Sequence, residues 1–333
     1  MSMSLLLNIL HFIARYGRVF ILTGLIAGIF VPGVATTVRP YVGHVVAVLL
    51  FLGALRIDPS EVFGNLKGLR SIFLFILFFQ IALPCLMAIG FVSAGISSPL
   101  AVALVLCFSA SPISAMPSLT IMMGHRPGPA LRLLFVSTAL LPLTIFPAFT
   151  IMPAFGDPAE VASVAFRLFI VIFVASGAGL LIRRFMLPRL GDSGRQTVDG
   201  LSAIAMATIV SGLMTGFLDA AANNVLEIAI MLTAAFVSNF GMQIMAWYLF
   251  GISSIREALG NGRAAFALAA GNRNNSIFLA ALPLAVTDPI LLFIASYQLP
   301  MFLTPLVLGW MYGKPDETPE IEPVSPGGRA DVS

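Results

Sequence analysis

The chain has 333 residues, 59% of them hydrophobic and 10% charged, with a formal net charge of +3. A soluble domain carries about 25% charged residues, so this composition and a mean hydropathy of +0.99 exclude one. Long continuous apolar runs also exclude a transmembrane barrel, whose strands show only a weak alternating signal, and the small positive charge is no signature of a nucleic-acid partner.

A run of about 20 apolar residues crosses a bilayer as a helix, and ten such spans fit the chain. The opening "SLLLNIL" precedes the first positive charge, Arg15. A secretory signal has the charge first and a small-residue cleavage site after, so no cleaved signal peptide is expected. Spans 1 and 2, about 19–36 and 37–56, are joined by the turn "VPGVATTVRP". Span 3 (68–91) carries Gln80; span 4 (97–123) is broken by "SASPISAMPS" at 109–118; span 5 (128–151) contains Pro129, Ser137 and Pro142. Spans 6 (161–183) and 7 (199–219) follow, then span 8 (225–250) with Gln243. Span 9 (258–286) is broken by "GNRNNS" at 271–276, and span 10 (289–312) contains Pro289, Ser296 and Pro300. Cys85 and Cys107 fall inside apolar spans and read as small buried hydrophobes, not as a disulfide or metal site.

Lysine and arginine placement orients the spans. Arg15, Arg18, Arg56, Lys67, Arg70, Arg126, Arg132, Arg183, Arg184, Arg189, Arg195, Arg256, Arg263, Lys314 and Arg329 fall on one side, and only Arg39 and Arg167 on the other. The alternation predicts a multi-pass protein of the cell (inner) membrane, in contact with lipid and with both termini cytoplasmic. The tail 313–333 is proline-rich, acidic and without apolar periodicity, hence predicted disordered.

Divided near residue 155, the chain gives five spans on each side, and an odd number forces the halves to run in opposite senses. The fourth span of each half is broken, the third carries a glutamine, and the fifth shares a proline–serine–proline pattern. The predicted fold is all-α: two inverted five-helix repeats, 1–151 and 161–312, with discontinuous helices 4 and 9. A helix breaks inside a membrane only where protein or a wet cavity satisfies its backbone. Two such breaks at matching places point to a secondary-transporter site.

Three stretches resemble the bile acid:sodium symporter family. They are "FLGALRIDPSEVFGNLKGLRSIFLFILFFQIALP" (51–84), with its Gln-x-x-x-Pro from Gln80 to Pro84, "SASPISAMPSLTIMMG" (109–124) and "GNRNNSIFLAAL" (271–282). The resemblance implies a panel domain from spans 1, 2, 6 and 7, a core domain from spans 3–5 and 8–10, and transport of an organic anion, commonly with two sodium ions beside the helix crossing. The family's span 9 glutamate falls at Ala269 and its glutamine at Arg273; its asparagine is matched by Asn274. The span 4 Ser-Asn pair falls at Ala115 and Met116, or at Pro117 and Ser118 with the proline as anchor. Gln80 is kept, and Ser137 and Thr138 stand where span 5 hydroxyls would contribute.

One negative charge is thus lost and one positive gained. At an effective dielectric of about 20, a unit charge 4 Å away acts with about 4 kcal/mol, so the sodium sites are expected to be lost, with the guanidinium in the space of one ion. No cofactor or metal is expected, sodium being possible but not favoured. A positive charge at the bilayer centre costs about 2.5–3.5 kcal/mol on insertion scales, and no carboxylate lies inside a span. Glu257, sixteen residues before Arg273, is about 24 Å away along a helix.

Three readings of Arg273 stay open. It braces the crossing by bonding freed carbonyls and oxygens such as Gln80; it also grips a substrate carboxylate, sulfonate or phosphate in bidentate fashion; or it sits near an interface. Asn272, Asn274, Asn275, Ser114 and Ser118 suit substrate binding, yet equally suit a crossing that satisfies itself. His44 reads as a packed polar residue or a proton relay. His11, His44 and His125 are far apart and no acid lies within a span, so no enzymatic constellation is found. The sequence reading is a secondary transporter of a small organic anion working by alternating access. Its alternatives are a membrane sensor built on a transporter fold and a sodium-coupled symporter with altered sites; oligomeric state is left open.

Overall fold

A computed structural model describes residues 3–56, 68–188, 190–259 and 262–313. Lys67, Arg189, Lys314, Arg329, the tail from 314 onward, the side chains of Arg18 and Glu257 and residues 57–67 of the first family-like stretch lie outside the described residues.

The described residues are helical, with one isolated β-bridge and no strand. In chain order the elements are α1 Met3–Arg15, α2 Gly17–Phe30, α3 Pro32–Arg56, α4 Leu69–Ser93, α5 Pro99–Ser109, α6 Met116–Met122, α7 Gly128–Ala139 and α8 Leu141–Ile151. There follow α9 Pro158–Phe185, α10 Asp192–Leu213, α11 Phe217–Asn223, α12 Val225–Leu249, α13 Ser253–Leu259, α14 Arg263–Gly271 and α15 Leu284–Val307. A 3-10 turn, Asn275–Ala280, lies between α14 and α15. Among the described residues six helices are long and apolar enough to cross a bilayer, or eight if α1 with α2 and α7 with α8 are each one bent crossing. This is the outline of a multi-pass helical membrane protein. Expected spans 4 and 9 hold no uninterrupted helix of bilayer length, because both break at the predicted places.

Local chemistry explains where the elements depart from the sequence expectation. The segment read as a turn, "VPGVATTVRP", is mostly helix: Pro32 occupies the first helical turn, where its fixed φ and missing N–H cost nothing. Thr36 and Thr37 bond back to the carbonyls of Pro32 and Gly33 at 3.0 and 2.7 Å, so only Val31 separates α2 from α3. The amphipathic α1, unassigned in the sequence reading, packs on α10, where Gly200 meets the backbone of Leu10. Expected span 5 bends by 59° between α7 and α8, since Pro142 in the first turn of α8 cannot donate to a preceding carbonyl. Span 10 starts at Leu284, five residues before Pro289, which is tolerated inside the helix. α9 starts on a capping box in which Asp157 accepts from the amide of Glu160 at 2.8 Å and Glu160 accepts from that of Asp157 at 3.0 Å.

Two sets of helices share one apolar core and are joined by α8 against α9 and by α3 against the 3-10 turn. In one, α2 and α1 lie on α10, and α3 lies between α9 and α10. Small residues bring these helices close, as Gly24 and Gly28 do against Ala207 and Ser211. In the other, α4, α5, α7, α8, α12, α14 and α15 surround the two broken stretches. An apolar cluster that includes Phe75, Phe79, Met116, Leu133, Ala269 and Ala270 packs around the break.

Candidate functional site

Each break begins where the sequence forbids further helix. α5 ends at Ser109 and Ala110 turns extended; two residues on, Pro112 has no N–H to continue the helix, and Ser111 before it avoids the helical region. α14 ends at Gly271, beyond which Asn272 leaves the helical region.

The two freed strands of backbone satisfy each other. The amide of Ile113 donates to the carbonyl of Asn272 at 3.0 Å, and that of Asn274 donates to Ser111 at 2.8 Å. They flank an antiparallel pair of Pro112 and Arg273. In such a pair the two central residues need no N–H, so proline fits the one place in the ladder that asks for no donor.

Arg273 sits at this pair, 1% exposed, the largest side chain in the fully buried interior. Nε donates to the carbonyl of Ala270, Nη1 to Ala110 and Nη2 to Phe79, each at 3.0 Å. Its carbon lies 5.3 Å from the centre of the Phe75 ring. All three acceptors are carbonyls that the helices cannot use. The amide of Asn274, the ordinary partner of Ala270, goes to Ser111. Ala110 follows the end of α5. Phe79 lies in a π-helical turn of α4, Ile76–Ala82, where the amide of Leu83 reaches back to Phe78; the next residue, Pro84, has no N–H to give.

The sequence left the counter-charge of Arg273 open, and the backbone supplies it. Among the described residues no carboxylate is within ion-pair distance of Arg273. Its guanidinium instead stands at the C-terminal ends of α5 and α14. Each helix C-terminus carries roughly half a negative charge, so the two together offset about one positive charge without an acidic residue.

A second polar network holds the broken end of α14. Asn239 Nδ2 donates to the carbonyl of Gly271 at 2.6 Å and to Asn272 Oδ1 at 3.3 Å. Gln243 Nε2 donates to Asn239 Oδ1 at 2.6 Å and Thr304 Oγ1 at 3.1 Å, and Tyr312 donates to Gln243 Oε1 at 2.8 Å. The Tyr297 hydroxyl also donates to Gly271. Asn239 lies on a π-helical turn of α12, Val237–Gly241. The other half of the chain has a plainer counterpart: Gln80 Nε2 donates to Thr144 Oγ1 at 2.7 Å and the carbonyl of Ser137 at 3.1 Å.

The sequence-predicted residues separate into two sets. Arg273, Asn272, Asn275, Gln80, Ser137, Ala269 and Met116 are buried. Asn272 Nδ2 donates to Leu268 at 2.9 Å, and the Ser137 hydroxyl bonds its own helix at Leu133, as hydroxyls in membrane helices do. Ala269 and Met116 offer no side-chain oxygen to a cation. The Asn275 carboxamide and Gln80 Oε1 are buried without a hydrogen-bond partner. Thr138, largely buried, donates to Ser111 Oγ at 3.1 Å. By contrast Ser114, Ser118 and Asn274 are half-buried and Ala115 is exposed, at the edge of the buried crossing. Asn274 Nδ2 stands 3.5 Å from Ser114 Oγ. His44 is exposed on α3, and His125 Nε2 lies 3.1 Å from the carbonyl of Tyr312.

The sequence reading did not single out Asn239, Thr144, Tyr297 or Thr304. Asn239 was the most findable: with Gln243 it makes an i, i+4 polar pair, one face of a helix, in an otherwise apolar span. No protein-family model matches the chain, and no curated protein matches it.

Proposed function

We propose that this chain is a secondary transporter of a small organic anion, and that its two sets of helices are a panel and a core that rock against each other to expose the crossing to alternate sides. The observation that carries the reading is the backbone pairing of two broken helices, closed by Ile113–Asn272 and Asn274–Ser111. Irregular backbone at membrane depth is tolerated where protein or a cavity surrounds it, and such crossings are where secondary transporters bind. The matched positions of the π-helical turns and of the Gln80–Thr144 and Gln243–Thr304 contacts support ten crossings arranged as two inverted repeats.

Arg273 acts in this proposal as a tethered cation. A free cation held by carbonyls must be recruited from solution; the guanidinium is covalently present. With neither a carboxylate nor a side-chain oxygen at Ala269 and Met116, transport is independent of sodium. The substrate meets the edge formed by Ser114, Ser118 and Asn274, whose hydroxyl and amide groups donate to an anion. The anion class itself rests on the resemblance to bile acid:sodium symporters and on the short-range hydrogen-bond donors of that edge.

The test is thermal melting of purified protein with a panel of carboxylates, sulfonates and phosphates, each in sodium and in potassium. Protection by one or more anions, equal in the two salts, is expected. No protection by any anion refutes the substrate class, and protection confined to sodium refutes the tethered cation.

A further inference from the structure

Arg39 stands in the first turns of α3, and on the same face one turn later stands Gly43. Arg39 Nη2 donates to Asp288 Oδ1 at 2.7 Å and to Thr287 Oγ1 at 3.3 Å. A side chain at Gly43 would lie 2.8 Å from the carbonyl oxygen of Leu279 and 3.0 Å from Cα of Ala280, so the helix touches that backbone directly. Both contacts cross from one set of helices to the other, from α3 to the end of the 3-10 turn and the first turn or two of α15. The other ion pair described, Arg56–Asp199 at 3.0 Å, joins α3 to α10 within one set.

The Arg39 contact can be broken. Arg39 is 12% exposed but Asp288 is 58% exposed, so water can take over the carboxylate. The start of α15 is not packed on every side. Ala285, Val286, Pro289 and Ile290 wall a shallow cleft of about 260 Å³ with Pro99 and Val102. Further along, α15 carries Tyr297 and Thr304, which hold Gly271 and Asn272 at the crossing. One helix thus joins Asp288 to the broken end of α14.

We propose that Arg39, Gly43 and segment 279–288 form a latch that closes this end of the crevice between panel and core. The latch rests on the alternating-access reading above. The ion pair supplies the reversible part. Gly43 supplies the fit, since only a residue without Cβ lets α3 lie on the Leu279 carbonyl.

The test uses the full chain with Cys85→Ser and Cys107→Ser, and a single cysteine at Ser276→Cys, a half-buried position on the 3-10 turn. The rate of labelling by a membrane-impermeant maleimide is measured from each face in vesicles of both orientations. Asp288→Arg is expected to raise the rate from one face by about fivefold, the upper factor for a solvent-accessible ion pair. The double reversal, Arg39→Asp with Asp288→Arg, is expected to return it to the parent value. Labelling unchanged from both faces overturns the latch. Where Asp288→Arg fails to fold, Asp288→Asn is read in the same way. The readout needs no ligand, so a chain that binds no anion refutes the substrate class alone, and unchanged labelling refutes the latch alone.

Discussion

Removing the guanidinium tests whether the crossing depends on it. Arg273→Ala deletes three charge-assisted hydrogen bonds, those to Ala270, Ala110 and Phe79. Each is worth about 1.5–3 kcal/mol, roughly 4.5–9 kcal/mol gross. Against this, the variant no longer buries a charge, which relieves several kcal/mol. The variant leaves no charge behind, only three buried carbonyls without a donor at about 1–3 kcal/mol each, so after that relief a net loss of about 3 kcal/mol is expected. It corresponds to a melting temperature lower by on the order of 10 °C. What remains is a cavity ringed by three carbonyls at two helix ends, a cradle for a planar cation. Low millimolar guanidinium should therefore recover part of the lost melting temperature, while equal sodium or potassium recovers less. Arg273→Lys keeps the charge but not the planar fork and should fall between. The Phe79 contact can be checked by itself. Pro84→Ala restores an amide that can reach Phe79, so the cost of Arg273→Ala in that background should shrink by about one hydrogen bond, 0.5–1.5 kcal/mol. The reasoning is refuted if Arg273→Ala melts within 2 °C of wild type, or if an anion rather than guanidinium rescues it. Full anion binding by both Arg273→Gln and Arg273→Lys would exclude substrate gripping and leave bracing as its role.

Two further substitutions probe the second network. Gly271→Ala places a Cβ onto the backbone carbonyl of Asn239 and 2.6 Å from Gln243 Cγ; overpacking of this kind costs about 1–3 kcal/mol, and anion protection in melting should fall with it. Gln243→Leu strips the partners of Tyr312 and Asn239 at once, whereas Gln80→Leu frees only Thr144 and the Ser137 carbonyl and removes an oxygen already unpaired. The first should cost about 2–4 kcal/mol and the second about 1–2 kcal/mol, read as the order of their melting temperatures; the reverse order would contradict the network described.

The breaks were legible because they depend on local chemistry. Pro112 and Pro117 cannot continue α5, and Gly271 followed by Asn272 is a poor helix interior. The polar run 271–276 inside an apolar span likewise marked backbone that needs partners. The start of α3 was misread because "VPG" signals a turn by composition, while a proline in the first helical turn is equally at home starting a helix. The bend at Leu140 escaped for the converse reason: Pro142 lies among apolar residues that read as one uninterrupted span. The π-helical turns at Ile76–Ala82 and Val237–Gly241 were invisible, since an inserted residue leaves hydropathy unchanged and shows only in the register of the amides.

The partner of Arg273 was missed for a deeper reason. A carboxylate is the partner a sequence can display, since side chains are all it shows, and none lies inside any span. The compensation is carried by carbonyls of alanine and phenylalanine, residues with no polar side chain at all. Their availability follows from where two helices stop and where Pro84 withholds an amide, which is a property of the folded backbone. The same logic limits what Arg273 can do for a ligand. A guanidinium with all three nitrogens donating to carbonyls, and with two helix ends cancelling about one charge, projects little net field to the edge at Ser114 and Asn274. Recognition at that edge must then come from short-range hydrogen bonds, so an anion's affinity should depend weakly on ionic strength, as screening acts on exposed, long-range charge and not on direct contacts.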